Sequence, residues 1–418
     1  MKKIPFRVTL LAIALAAFGL RLLYAETQDT TRVLTDAYWY HLTANSLADG
    51  HGFTFALVGP RLPTAFHPPL FAIVLAGASK LGLSSYGAHR AVGCALGAAT
   101  VSLIGLIGRR AGGPGLGLLS AGLAAVYLPL IGNDSVLMSE SLYGLTIAGA
   151  ILAALWLTDA PSWRRAAVLG AVVGLAALTR GEGLLLLILL VPLVVRRAGP
   201  RSLRRFLVVA GVAVLVIAPW CIRNSLEFDR PVGLSTGDGS VLASGNNDVV
   251  YHGPRLGGWD FKALALPSTG LDVHDEAAVG AYLRTRGLEY ARRHAGRLPV
   301  VVGARVLRTW SLYPFHAIGQ VREAAFIKGQ REWLLWATLV SAWAAMALSL
   351  AGAVGLRRRA FNMVPLLAPL ALVTVASALF YGDVRFRDAA EVSLVVLAAA
   401  GLQGLWRAAR GSPAARPA

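Results

Sequence analysis

Long stretches of the chain carry almost no charge, and this feature limits the possible folds more than any other. Several windows of about 20 residues are nearly free of Asp, Glu, Lys and Arg, which is the length an α-helix needs to cross about 30 Å of hydrocarbon. A mean hydropathy of +0.59 and a charged fraction of 15% agree with this pattern. The sequence therefore predicts an all-α polytopic membrane protein.

The basic residues support a specific arrangement of spans. The net charge of +18 would suggest nucleic-acid binding in a soluble protein, but most Lys and Arg side chains lie in short loops beside the ends of apolar stretches. Such loops set the orientation of membrane proteins, and the basic loops face the cytoplasm. We therefore exclude nucleic acid as a partner. The ten predicted spans are about 6–24, 87–108, 116–132, 138–157, 166–179, 183–195, 206–221, 333–354, 361–381 and 389–406.

These spans divide the chain into four parts. Residues 1–221 form a membrane module with a first outer loop at 25–86, and residues 222–331 form an outer segment with a predicted helix from Glu276 to about His294. Residues 332–410 form a three-span module, and residues 411–418 a disordered tail. We read the first apolar run as a retained helix rather than a cleaved signal, and the apolar piece 67–82 as a helix lying along the outer surface or re-entrant. The two cysteines, Cys94 and Cys221, predict no disulfide framework.

Ionisable residues gather in the predicted outer loops. A carboxylate at the membrane surface can remove a proton from an attacking hydroxyl, and arginine holds phosphate through two hydrogen bonds. Transfer of a sugar from a phosphate-linked donor requires both groups, and attack opposite the leaving phosphate inverts the anomeric centre. The candidate catalytic base is Asp36, which lies among aromatic residues just beyond the first span. The candidate phosphate-binding residues are Arg180, Arg223, Arg385 and Arg387.

Several short motifs, taken in order, resemble the C-type (GT-C) membrane glycosyltransferases. The resemblance is to the bacterial branch similar to protein O-mannosyltransferases and lipid A aminoarabinose transferases, and it covers nearly the whole chain. The motifs are Asp36 in its aromatic setting, His67-Pro68-Pro69-Leu70, Leu178-Thr179-Arg180-Gly181-Glu182-Gly183-Leu184, Arg223-Asn224, and Tyr381-Gly382 with Arg385-Phe386-Arg387.

The resemblance implies a site and a donor. The first-loop carboxylate of the family is its catalytic base, which maps onto Asp36, and an outer acidic pair that assists metal or acceptor binding would fall on Asp134 and Glu140. His67 stands where related enzymes often carry Lys or His facing the donor phosphate. The donor is a polyprenyl-phosphate sugar and the location is a bacterial plasma membrane, with the active site facing outward. Ala37 follows Asp36 where a second acid is usual, so we expect no tight metal site and leave a divalent metal open.

Each of these residues also has a purely structural interpretation. Asp36 can cap the helix that follows it, and Asp134 and Glu140 can favour the start of another. Arg180 and Glu182 can neutralise each other, and Arg385 and Arg387 can bind lipid headgroups. Two alternative functions remain: a flippase or transporter for lipid-linked glycans, and an assembly subunit that binds partners through residues 222–331. The acceptor is not identified by the sequence.

Overall fold

The computed structural model of the protein describes residues 4–28, 36–57, 59–196, 200–266, 270–313 and 332–410. Within these ranges the chain is helical except for turns and one two-stranded antiparallel sheet. The all-α class is therefore confirmed. The predicted tail at 411–418 lies outside the described residues.

Among the described residues, six helices are long and apolar enough to cross a membrane. They are α1 (Phe6–Glu26), α4 (Tyr86–Val126), α6 (Glu140–Asp159), α9 (Pro200–Glu227), α14 (Glu332–Arg358) and α16 (Asp388–Ala409). Helix α1 packs on α4, and α14 packs on α16. Helices α1, α9 and α14 leave most of their apolar residues uncovered by protein. Lipid is the solvent that such surfaces fit, and the protein is a multi-pass membrane protein.

Helix α4 contains two of the predicted spans, because it bends back on itself. The bend lies at Gly112-Gly113-Pro114, where Gly113 has a φ of 86°, a left-handed conformation that favours glycine. The two arms then pack closely through small residues: Gly108 faces Ser120, and Gly117 faces the backbone of Gly105. The bend lies between the predicted spans 87–108 and 116–132.

The other predicted spans coincide with shorter helices. They are α7 (Trp163–Thr179), α8 (Leu185–Arg196), which follows a 3-10 turn at Gly181–Leu184, and α15 (Val364–Leu379). A helix rises 1.5 Å per residue, so these segments reach less far than the 30 Å hydrocarbon core. The count of ten spans thus stays a prediction.

The first outer loop folds into its own small unit. It contains α2 (Asp36–Ala48), a hairpin of β1 (Thr54–Phe55) and β2 (Leu62–Pro63), and α3 (Leu70–Lys80). With 11 residues, α3 is too short to cross the membrane. Phe71 and Leu75 of α3 are fully buried in a core shared with Trp39 and Tyr40 of α2 and with the outer ends of α6, α7 and α9.

The outer segment packs over this unit. It consists of α10 (Asp238–Gly245), α11 (Asp248–Tyr251), a 3-10 turn at Phe261–Leu264, α12 (Glu276–Arg293) and α13 (Leu298–Thr309). The predicted helix from Glu276 is confirmed. Arg305 of α13, only 2% exposed, donates to Gly245 O at 2.7 Å and to Ala378 O at 3.0 Å. This side chain joins the outer segment to the end of α15.

Candidate active site

The site begins at the first residue of α2. Asp36 opens the helix, where a negative charge is favoured by the exposed N–H groups of the first turn. The next turns of α2 are held by packing, since Trp39 and Tyr40 are buried against the rest of the first loop. Asp36 is therefore fixed by its helix, while its own side chain stays one-third exposed (33%).

Two basic side chains face the Asp36 carboxylate. Arg385 donates from Nη2 to Oδ2 at 3.2 Å, and His67 Nε2 lies 3.6 Å from Oδ1. Burial alone would favour the neutral acid, but the charges of His67 and Arg385 outweigh it and hold the pKa of Asp36 well below its usual range. These two neighbours thus favour the carboxylate form of Asp36.

Arg385 is positioned by a capped turn between α15 and α16. The 3-10 turn at Val384–Arg387 is capped by Asp383, whose side chain accepts a hydrogen bond from the Arg385 backbone N–H at 2.9 Å. The other carboxylate oxygen of Asp383 accepts from Trp259 Nε1 of the outer segment at 3.1 Å. From this turn, Arg385 Nε also donates to Glu140 Oε1 at 3.0 Å, so one guanidinium joins Asp36 to Glu140.

Glu140 extends the chain of charges to the end of α7. Arg180, directly after α7, donates from Nη1 to Glu140 Oε1 at 3.1 Å and from Nε to Glu182 Oε1 at 2.6 Å. These two carboxylates raise the pKa of Arg180 despite its burial. The result is an alternating row of acids and arginines: Asp36, Arg385, Glu140, Arg180 and Glu182.

The row leaves donors free for an anion. Among the described residues, Arg385 uses Nε and Nη2, and Arg180 uses Nε and Nη1, for the ion pairs above. The remaining amino group of each, Nη1 of Arg385 and Nη2 of Arg180, bonds to no protein group in this part of the chain. Arg385 is 30% exposed, so a phosphate can approach it from outside.

Aromatic rings surround the histidine of the site. The rings of Tyr40 and His67 are stacked with centroids 5.0 Å apart, while Trp39 meets the same imidazole edge-on at 4.9 Å. Tyr40 is hydrogen-bonded to Ser139, and burial raises the pKa of its hydroxyl. The imidazole is therefore confined, and its Nε2 has no hydrogen-bond partner among the described residues. Tyr40 and Ser139 are not among the residues predicted for the site. The aromatic run 38–40 is the feature of the sequence that points to Tyr40.

Three of the predicted site residues lie elsewhere. Asp134 forms a buried ion pair with Arg21 Nε at 2.7 Å, which joins α5 (Leu128–Asp134) to α1. Arg387, the last residue of the turn before α16, is paired with Glu391 of α16 at 2.5 Å and is 4% exposed. Arg223 donates to Thr64 O and Phe53 O, both at 3.0 Å, and so supports the first loop. Each of these three side chains is engaged by other groups, and among the described residues none of them contacts Asp36. The roles predicted for them stay predictions.

The arrangement does not fit a tightly bound divalent metal. The described residues contain no group of three or more His, Cys, Asp or Glu side chains placed to hold an ion. Asp36 and Glu140 are instead bridged by the guanidinium of Arg385. A cation placed between these carboxylates would meet that positive charge.

Comparison with known proteins gives one family model that matches part of the chain and one shared fold. Residues 66–222 match the family model described as dolichyl-phosphate-mannose-protein mannosyltransferase. No curated protein sequence matches the chain. The archaeal oligosaccharyltransferase AglB from Archaeoglobus fulgidus, in complex with an inhibitory peptide and a dolichol-phosphate, aligns with a TM-score of 0.58 at 16% identity, over 99% of this chain and 52% of that chain.

Two further solved structures align over nearly the whole chain. An oligosaccharyltransferase from the same archaeon, tethered with an acceptor peptide containing the NVT sequon, has a TM-score of 0.53 at 16% identity, over 100% of this chain and 52% of that chain. ArnT from Cupriavidus metallidurans, bound to undecaprenyl phosphate, scores 0.45 at 16% identity over 97% and 78% of the two chains, which is too low to support an argument. This chain spans about half the length of the archaeal enzymes, and the likeness to them shows a shared fold.

Proposed function

We propose that this chain, which belongs to the C-type membrane glycosyltransferases, moves a sugar from a polyprenyl-phosphate donor to a hydroxyl acceptor with inversion. The observation that carries the proposal is the contact of Asp36 with Arg385 at a partly open surface. It places an ionised carboxylate and a guanidinium with a free amino group next to each other. Sugar transfer from a phosphate ester needs these two groups at one place.

In the proposed reaction Asp36 accepts the proton of the acceptor hydroxyl. The acceptor oxygen forms a bond to the anomeric carbon while the bond from that carbon to the phosphate oxygen breaks. The lipid phosphate leaves with the bonding electrons, and the free amino groups of Arg385 and Arg180 balance its charge. A donor phosphate competes with Asp36 for Arg385, so donor binding makes the carboxylate a better base.

The two ends of the helices support an outward-facing site. Glu140, Arg180 and Arg385 lie at the same end of α6, α7 and α16 as Asp36. The opposite end of α7 carries Arg164 and Arg165, and the opposite end of α16 carries Arg407. Basic ends face the cytoplasm. We therefore propose that the site faces outward from a bacterial plasma membrane.

The test uses the purified full chain in lipid nanodiscs. Mass spectrometry of lipid that copurifies with the protein identifies the polyprenyl-phosphate carrier, and that carrier, loaded with candidate sugars, is then supplied with candidate hydroxyl acceptors. The proposal expects a product sugar of inverted anomeric configuration and free polyprenyl phosphate in equal amounts. Translocation of the lipid-linked sugar in sealed vesicles with no release of polyprenyl phosphate would instead favour the flippase.

A further inference from the structure

The outer segment contacts the first outer loop through a few residues. Residues 234–237 run beside residues 64–66 of the first loop, and the Thr236 backbone N–H donates to Ala65 O at 2.9 Å. The approach is close at Gly237, because a β-carbon there would collide with the carbonyl oxygen of Phe66. The segment that ends in His67 is therefore in direct contact with the outer segment.

Glu276, the first residue of α12, joins these two segments through hydrogen bonds. Its Oε1 accepts from the Ala65 backbone N–H at 2.8 Å and from the Thr236 hydroxyl at 2.5 Å, and its Oε2 accepts from the Thr64 hydroxyl at 2.7 Å. All three donors are neutral, so both carboxylate oxygens serve as acceptors with no salt bridge among the described residues. The first turn of a helix favours such a charge.

The groups held by Glu276 lead directly to the site. The Thr64 hydroxyl oxygen also accepts from Trp39 Nε1 at 3.3 Å and from the Phe66 backbone N–H at 3.2 Å. Trp39 lies one helical turn after Asp36 and contacts the His67 ring. Thr64 therefore links the helix that carries Asp36 to the segment after β2 that carries His67. Glu276 fixes the orientation of the Thr64 hydroxyl.

We propose that Glu276 is a positioning residue for the proposed transfer reaction, on which this inference rests. It reaches across from the outer segment and sets His67 at its place beside Asp36. His67 Nε2 has no hydrogen-bond partner of its own among the described residues, and the ring is held by its contacts with Trp39 and Tyr40. A shift of the backbone at residues 64–66 therefore moves the imidazole relative to Asp36. Small displacements at a reacting centre are costly: a shift of about 1 Å can slow a reaction about 100-fold.

Glu276→Gln is the sharpest substitution. The shape is kept, but one oxygen becomes an amide NH₂, which cannot accept from Thr64. The Thr64 oxygen already accepts from Trp39 and Phe66, so it has no lone pair for the new N–H groups. Glu289→Gln is the matched control, since Glu289 lies on the same helix and, within the described part of the chain, pairs with Arg293 one turn later.

Two measurements test the proposal. In the transfer assay, Glu276→Gln lowers kcat about 10- to 100-fold with little change in the KM for donor, whereas Glu289→Gln changes neither. In a His67→Ala background, Glu276→Gln costs nothing further. In the resting protein, the rate at which diethyl pyrocarbonate modifies His67, followed by mass spectrometry, changes several-fold in Glu276→Gln and stays at the wild-type value in Glu289→Gln.

The outcomes separate the two proposals. An unchanged modification rate at His67, or a loss of kcat that is equally large in the His67→Ala background, overturns the role of Glu276. A wild-type protein that transfers no sugar, while Glu276→Gln still changes the modification of His67, overturns the proposed function and leaves the contact between the outer segment and His67 standing. A Glu276→Gln protein with only a lower melting temperature and normal kcat shows a structural role and also overturns the inference.

Discussion

At the scale of single residues, the structure separates charges that face the site from charges that hold the protein together. Arg385 contacts both Asp36 and Glu140 and keeps one amino group free. Arg387, two residues later, donates to Glu391 of α16 and to the Ser311 hydroxyl. The two could not be distinguished from the sequence, because both are arginines of the same turn. Only the 3-10 turn directs one side chain outward and the other into the bundle.

This difference predicts the effect of Arg385→Ala. Removal of the guanidinium takes away the group that balances the leaving phosphate, and loss of one such donor slows reactions about 100- to 1,000-fold. We expect a loss of kcat in that range in the transfer assay. Arg61→Ala is the control, because Arg61 is an exposed arginine of the first outer loop. Equal effects of the two substitutions would show that Arg385 acts only through the general charge of the surface.

The buried pair of Arg21 and Asp134 gives a contrasting prediction. Arg21 is fully buried, and it donates to the backbone of Ala17 and Ala125 as well as to Asp134. Arg21→Ala leaves a buried carboxylate without its partner, which typically costs about 3–5 kcal/mol. We expect a much lower melting temperature in detergent but an unchanged kcat per folded molecule.

The control for this pair is on the surface. Arg110→Ala breaks the exposed pair with Asp159, which is worth at most about 1 kcal/mol, so its melting temperature stays near the wild-type value. A selective loss of kcat in Arg21→Ala, with normal stability, would restore Asp134 to the catalytic site.

At the scale of elements, the first loop is held to α4 by a ring of four polar side chains. His41 Nδ1 lies 3.0 Å from His89 Nδ1, and His89 Nε2 lies 2.8 Å from the Ser79 hydroxyl. Ser79 donates to Asn45 Oδ1 at 2.8 Å, and Asn45 Nδ2 approaches His41 Nε2 at 3.5 Å. Because each nitrogen of a neutral imidazole either donates or accepts, the ring closes only when both histidines are uncharged.

The ring predicts that acid weakens the attachment of α2. Burial lowers the pKa of His41, so the unfolded chain binds protons that the folded protein does not bind. Stability is therefore complete above the ordinary pKa of histidine, about 6.5, and falls as the pH drops below it. Thermal unfolding from pH 8 to pH 5 should show a falling melting temperature. The fall should be smaller in His41→Gln and unchanged in His51→Gln, an exposed histidine of the same loop. A wild-type melting temperature that does not vary with pH would contradict this account.

Much of the arrangement of the helices could be predicted from the sequence. The apolar windows located the long helices, and Gly112-Gly113-Pro114 located the bend of α4, because hydrophobic length and turn chemistry are local properties. Asp36, Glu140, Arg180 and Arg385 were found as outer-loop charges and the structure brings them together. Glu276 carried no signal, since its partners Thr64 and Ala65 lie more than 200 positions away and an isolated acid at a helix start is common.

At the scale of the whole molecule, the site residues and the basic clusters occupy opposite ends of the same helices. This polarity follows from the sequence alone, since short basic loops alternate with polar ones along the chain. It requires the first loop and the outer segment to lie together on one side of the membrane. Their contact through Glu276 agrees with that requirement.

Labelling of single cysteines tests the orientation. In a Cys94→Ala, Cys221→Ala background, Asp49→Cys places a thiol in the exposed first loop and Arg359→Cys places one in the exposed turn after α14. We expect a membrane-impermeant maleimide to label Asp49→Cys in intact bacteria. The variant Arg359→Cys should react only after the membrane is opened. The reverse pattern would place the site on the cytoplasmic face.

The central claim is that Asp36 is the base of the reaction, and the most direct test is the transfer rate of Asp36→Asn with the donor bound. The amide keeps the shape of the carboxylate but does not take up the acceptor's proton. The account predicts that the variant folds, retains the polyprenyl-phosphate donor and transfers sugar about 100- to 10,000-fold more slowly, while the exposed Asp49→Asn on the same loop keeps the wild-type rate. Transfer by Asp36→Asn at close to the wild-type rate would contradict it.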